Sequence, residues 1–198
     1  MPHVQQLAFP LTGADVPRTL ADGATGRIVY IPAVLEQEIA ARLFRTLRET
    51  VEWRRERRPM YDRVVDVPRL VAHFGPGDAL PDSLAEAQAA AEAVAATRFN
   101  SVGLNLYRDG RDSVAMHNDH RDELEPLSTI ALLSLGAART MRLHTKERPR
   151  RSLQIALEPG SLLLMEGASQ EHWEHGIPKS REHVGPRISV AFRQRPSS

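Results

Sequence analysis

The sequence predicts an α+β domain, helices first and then a sandwich or jelly roll of short strands. Three observations carry this: helical apolar spacing before residue 98, short apolar or alternating runs after Asn100, and the absence of any internal repeat. At 198 residues and 41% hydrophobic content, the chain is long enough for one well-buried core.

Residues 1–26 mix Pro, Gly, Thr and Asp without periodicity and read as an arm. "GRIVYIP" is β-branched and aromatic, a strand leading into a helix. From Leu35 to Trp53, the residues Ile39, Leu43, Phe44, Leu47 and Val51 fall at helical spacing, which predicts an amphipathic helix. In "PDSLAE", Ser83 and Glu86 have capping-box spacing and announce an alanine-rich helix to about Thr97.

After Asn100 come eight runs bounded by Gly, Pro or charged turns: "VGLNLYR", "VAMHND", "STIALLSLG", "RTMRLHTK", "LQIALE", "SLLLME", "HWEHGIPK" and "RISVAFR". Strand residues i and i+2 share a face. Val102, Leu104 and Leu106 therefore oppose Asn105 and Tyr107, and Ile188, Val190 and Phe192 oppose Arg187, Ser189 and Arg193. One face of each strand feeds an apolar layer while the other carries polar and cationic groups. The two arginines fit either an anion site in a barrel or an edge strand with solvated charges.

The net charge of +1 gives no overall attraction to nucleic acid or membrane, so any such attraction must come from "RRERR" at 54–58 and "KERPRR" at 146–151. These clusters read as phosphate contacts or as a solvated helix end and a charged hairpin loop. The lack of cysteine excludes disulfides, thiolate zinc sites and cysteine nucleophiles, leaving imidazole and carboxylate as metal ligands. No signal peptide or membrane-span pattern is visible, and the expectation is a cytoplasmic protein with no membrane partner.

His117 and Asp119, two apart in "SVAMHNDHRDE", are a metal-ligand candidate but an unspecific one alone. Two histidines and one carboxylate leave open positions on a non-haem Fe(II). The third ligand could come from His144, His172, His175 or His183, and in an extended backbone at most one of His172 and His175 could serve.

Taken in order, "FNSVGLNLYRDGRDSVAMHNDHRDEL", "IALLSLGAARTMRLHTK", "LEPGSLLLMEGASQEHWEHGIPKS" and "VGPRISVAFR" resemble the AlkB family of Fe(II)- and 2-oxoglutarate-dependent dioxygenases. The resemblance is dense over residues 99–195, and "MYDRVVDVPRL" resembles the nucleotide-recognition segment of a bacterial branch of that family. It implies a double-stranded β-helix (jelly-roll) core at 99–198, preceded by supporting helices and a recognition lid at 27–98 and the arm at 1–26.

By the same resemblance, His117, Asp119 and His175 are the iron ligands, His175 standing before the "GIP" turn. Asn105, Tyr107 and Ser189 contact 2-oxoglutarate, Arg187 pairs with its distal carboxylate, and Arg193 supports the proximal end. Gly110 and Asp112 shape the turn before the His-x-Asp pair. Tyr61, Arg69 and Phe74 in the lid, with His73 beside them, and His120 and Arg121 after the pair, fall where a base would be held. The implied activity is oxidative demethylation of alkylated bases in single-stranded DNA or RNA by a monomer, with release of formaldehyde. The alternatives are a protein or small-molecule substrate for the same chemistry, or an inactive scaffold retained as a binding module.

Overall fold

A computed structural model describes residues 16–60, 63–119 and 123–196. Its twelve described strands are β1 (Arg18–Ala21), β2 (Arg27–Ile31), β3 (Arg54–Met60), β4 (Arg63–Phe74), β5 (Ser101–Tyr107), β6 (Val114–His117), β7 (Ile130–Gly136), β8 (Arg139–Thr145), β9 (Ser152–Leu157), β10 (Leu162–Glu166), β11 (Trp173–Ile177) and β12 (Arg187–Arg193). The helices are α1 (Gln37–Thr50), α2 (Asp82–Ala95) and the single turn α3 (Ser169–His172). None of the described helices is long and apolar enough to cross a membrane.

The strands form two antiparallel sheets, one of eight strands in the order β1-β2-β10-β7-β12-β5-β4-β3 and one of four in the order β6-β11-β8-β9. This is the jelly-roll arrangement. All eight runs after Asn100 are strands, and their alternation sets the layers. Val102, Leu104, Leu106, Leu133, Leu135, Ile188, Val190 and Phe192 join Leu43 and Leu47 of α1 and Leu84, Ala87 and Ala91 of α2 in a core behind the large sheet. A second core, between the sheets, holds Tyr30, Tyr107, Ile130, Leu132, Met141, Leu143, Leu163 and Trp173. The polar faces of β5 and β12 therefore point into the sandwich, where they can build a site.

The N-terminal half departs from expectation in four places. Within the segment expected as an arm, β1 pairs with β2, and Ala21 is buried in the inter-sheet core. The amphipathic helix is shorter than its periodic pattern, because Leu35 lies before it with its N–H bonded to the Gly160 carbonyl. The capping box does not form: α2 begins at Asp82, with no side-chain cap at Pro81. Glu86 instead accepts two bonds from Arg42, at 2.6 and 3.0 Å, tying α2 to α1. Finally, "RRERR" is no helix end but edge strand β3, in a hairpin with β4. Its exposed Arg54, Arg55 and Arg57 also discourage edge-to-edge pairing with another sheet.

The other basic cluster is the expected β8–β9 hairpin loop. It packs on the minor sheet, with the Arg151 guanidinium 5.5 Å from the centre of the Trp173 ring.

Candidate metal centre and anion pocket

His117 ends β6 and lies directly opposite His175 on β11 in the antiparallel register. Facing residues in such a pair project from the same side of the sheet, so the two imidazoles meet with centroids 4.5 Å apart. Asp119 follows just beyond the strand, its Oδ1 at 3.9 Å from His117 Nε2. One ligand atom from each of the three residues can be chosen so that all lie within 4.8 Å of one another.

His172 is removed from this set by α3, and its Nδ1 donates to Glu147 at 2.8 Å. Strand alternation alone left the choice between His172 and His175 open and the resemblance favoured His175; it is His175 that β11 brings opposite His117.

The protonation states suit a cation. His117 Nδ1 lies 2.9 Å from the Ala115 carbonyl, an acceptor only, so Nδ1 carries a proton and Nε2 is the nitrogen turned toward Asp119. Burial pushes the His175 imidazole down to about 4, with His117 acting in the same direction, which keeps it neutral. Burial alone would raise the Asp119 carboxyl, but Arg193, His175 and His117 overcome it and hold the group at about 2. The strongest contact is Arg193 Nε donating to Asp119 Oδ2 at 2.8 Å. Arg193, expected at the proximal end of the cofactor, is thus engaged by the carboxylate in this structure.

The same inner face holds the other cofactor candidates in a lattice. Ser189 lies opposite Asn105 on one side and Ser134 on the other, and Arg187 lies opposite Tyr107 and Gly136. Arg187 is completely buried, which excludes the solvated edge-strand reading. Its Nη2 donates to Ser134 Oγ at 2.9 Å, while Nε and Nη1 have no partner. Its guanidinium stands 5.3 Å from the centre of the Tyr107 ring, and burial depresses its pKa to about 10. A buried guanidinium with two idle nitrogens fits a carboxylate, which would accept from both.

A cavity of about 780 Å³ opens on this face and is lined by Asn105, His117, Asp119 and Arg193 together with Val67, Pro68, Arg69 and Val71 of β4. Tyr107, Ser189 and Arg187 are not among its lining residues and are all buried. The β3–β4 hairpin is therefore one wall of the cavity.

The lid candidates separate. Arg69 lines the cavity but donates to Asn105 Oδ1 at 2.6 Å, so it orients an expected cofactor contact as well as facing the space. Phe74 packs against the helix-side core, because it lies opposite Val102 and shares that residue's outward face. It is core, not a contact for a base. His73 lies opposite Gly103, with Nε2 3.3 Å from Ser101 Oγ. Tyr61, His120 and Arg121 lie outside the described residues.

Asp112 accepts from the N–H and guanidinium of Arg108, the turn-forming role expected of it. Two further residues were not picked out from the sequence. Arg139 is buried and donates to the carbonyls of Asp109, Asp112 and Pro178, joining the turn before β6 to the exit of β11. Period-two alternation through Met141 and Leu143 was a signal for its inward side chain. Gln170 accepts from the Asp119 N–H across 51 residues of sequence, a contact that local pattern cannot reveal.

Close approach of β6 and β11 depends on Gly176, where a Cβ would come within 3.0 Å of the Val114 carbonyl oxygen and 3.1 Å of Ala115. Gly176→Ala is expected to push β6 outward and separate His117 from His175. Mn(II) affinity, followed by titration calorimetry, should fall about tenfold.

Residues 72–193 match the family described as the 2OG-Fe(II) oxygenase superfamily. The mouse protein named alpha-ketoglutarate-dependent dioxygenase alkB homolog 3 is 29% identical over 195 residues, spanning 88% of this chain and 68% of the relative. The mouse DNA oxidative demethylase ALKBH2 is 38% identical over 103 residues, 48% of this chain and 43% of the relative. The solved structure of OsALKBH1 superposes with a TM-score of 0.61 at 14% identity, covering 90% of this chain and all of the other, a likeness of fold. The chain belongs to the 2OG-Fe(II) oxygenase superfamily as a member of its AlkB family, whose cofactors are Fe(II) and 2-oxoglutarate.

Proposed function

We propose that this protein is an oxidative demethylase of alkylated bases in single-stranded DNA or RNA. His117, Asp119 and His175 hold the iron, Arg187 takes the distal carboxylate of 2-oxoglutarate, and Asn105, Tyr107 and Ser189 complete the cofactor contacts. The observation that carries this reading is the convergence of a two-histidine, one-carboxylate cluster and a buried, half-satisfied arginine on one inner face. The names of the relatives supply the reaction class, and the exposed arginines of β3 beside the cavity wall supply a surface suited to phosphates.

When bound, iron and 2-oxoglutarate supply oxidation of a substrate C–H bond by dioxygen, coupled to decarboxylation. A hydroxylated N-methyl group then leaves as formaldehyde and restores the base. The chain's own residues prepare that chemistry. Ala115 fixes the His117 tautomer, Arg193 keeps Asp119 ionised, and Arg187 together with Asn105 orients the co-substrate. His117 is the most open of the three proposed ligands, its side chain 40% exposed, which leaves the cavity side of the cluster accessible to a flipped or unpaired base.

Formaldehyde release from a panel of singly methylated DNA and RNA oligonucleotides tests the proposal, with His117→Ala as control. Release should be greater from single strands than from duplexes, and binding should weaken steeply as salt is raised. Normal turnover of 2-oxoglutarate with no formaldehyde from any oligonucleotide would overturn the substrate class and favour a protein or small-molecule target.

A further inference from the structure

We propose that Gln170 is a positioning residue for the carboxylate ligand, acting through the backbone of Asp119. The inference rests on the proposed role of Asp119 as an iron ligand. Strand β6 ends at His117, so the Asp119 amide lies beyond the ladder that fixes the two histidines. Its N–H donates instead to Gln170 Oε1 at 3.0 Å, within the buried interior. On the side-chain end, Arg193 holds Oδ2. Asp119 is thereby gripped at two points, its main chain by Gln170 and its carboxylate by Arg193.

Gln170 is itself well fixed. It is only 5% exposed, and its Nε2 lies 3.6 Å from Met165 Sδ, which turns the amide oxygen toward Asp119. Its carbonyl accepts from Lys146 Nζ at 3.3 Å. The turn that carries it is tied to the β8–β9 hairpin loop by Lys146 N–H donating to the His172 carbonyl at 2.8 Å. A buried amide on a rigid turn can orient a ligand that the sheet itself does not hold, as outer partners of metal ligands commonly do.

The test compares Gln170→Met, which keeps the bulk and loses the acceptor, with Gln170→Glu, which keeps an acceptor oxygen. Mn(II) affinity is measured by calorimetry and electron paramagnetic resonance, and 2-oxoglutarate affinity at saturating Mn(II). Gln170→Met should weaken Mn(II) binding about 10- to 100-fold, with 2-oxoglutarate binding unchanged once the metal is saturating, and Gln170→Glu should restore most of the metal affinity. Wild-type Mn(II) affinity in Gln170→Met would overturn the proposal, as would equal loss in both variants with a common drop in melting temperature. Retention of Mn(II) by Asp119→Ala would overturn the ligand assignment, and this proposal with it.

Discussion

Arg187→Met is expected to melt at a higher temperature than the wild-type protein when 2-oxoglutarate is absent, and to lose the stabilisation that 2-oxoglutarate confers. Arg187 is fully buried, its positive charge is disfavoured by burial, and two of its nitrogens have no partner. Replacing buried ionic groups by well-packed apolar side chains of similar volume is often neutral or stabilising, by up to about 4 kcal/mol. Loss of the bond to Ser134, about 1 kcal/mol, and of the contact with the Tyr107 ring offsets part of that. The surplus corresponds to roughly 2–4 °C per kcal/mol in a domain of this size.

Binding of 2-oxoglutarate should respond in the opposite sense. Truncating one partner of a buried charge pair costs about 2–5 kcal/mol, or roughly 30-fold to several thousandfold in affinity. Thermal shift with and without 2-oxoglutarate, and calorimetry at saturating Mn(II), check both halves. A variant that melts lower and still binds 2-oxoglutarate would make Arg187 a structural residue.

Asp119→Ala should fail in the other way, losing metal and stability together. The substitution deletes the carboxylate of the cluster and leaves the Arg193 guanidinium, 17% exposed, without its carboxylate partner. Breaking a buried pair from one side costs about 3–5 kcal/mol. Metal affinity should fall more than about 100-fold, and turnover of 2-oxoglutarate should reach background.

The pH dependence of the metal-free protein has a defined sign. Asp119 sits at about 2 when folded against an ordinary 3.8. The stabilisation from its pairing is therefore present above about pH 4 and disappears as pH falls toward 2. In acid titrations of the metal-free protein, the wild type should lose stability over that interval relative to Asp119→Ala.

The C-terminal half of the fold was legible because its short strands are bounded by Gly, Pro or charged turns and several of them alternate. Ile188, Val190 and Phe192 against Arg187, Ser189 and Arg193 describe two faces with no structural information, and the same is true of β5. What alternation could not say is which strands are neighbours. That is why Arg187 admitted both a solvated and a buried reading until β12 was found between β5 and β7.

The N-terminal half was less legible, for physical reasons. "RRERRPM" has the charge and proline of a loop or surface segment, yet forms a strand because β4 offers it a partner and β4 in turn pairs with β5. Ser83 and Glu86 match a capping box, yet Glu86 is taken by Arg42 from another helix. Phe74 looks like a stacking aromatic, yet one residue of register decides that it faces α1 and α2 and not the cavity. Each of these outcomes was set by a contact distant in sequence.

A crystal structure of the protein grown with Mn(II) and 2-oxoglutarate under anaerobic conditions would show which side chains hold the metal and the co-substrate. Metal density is expected between His117, Asp119 and His175, with a carboxylate of 2-oxoglutarate on Nε and Nη1 of Arg187, which have no hydrogen-bond partner in the protein. Metal held by other side chains, or 2-oxoglutarate bound away from Arg187, would be the opposite result.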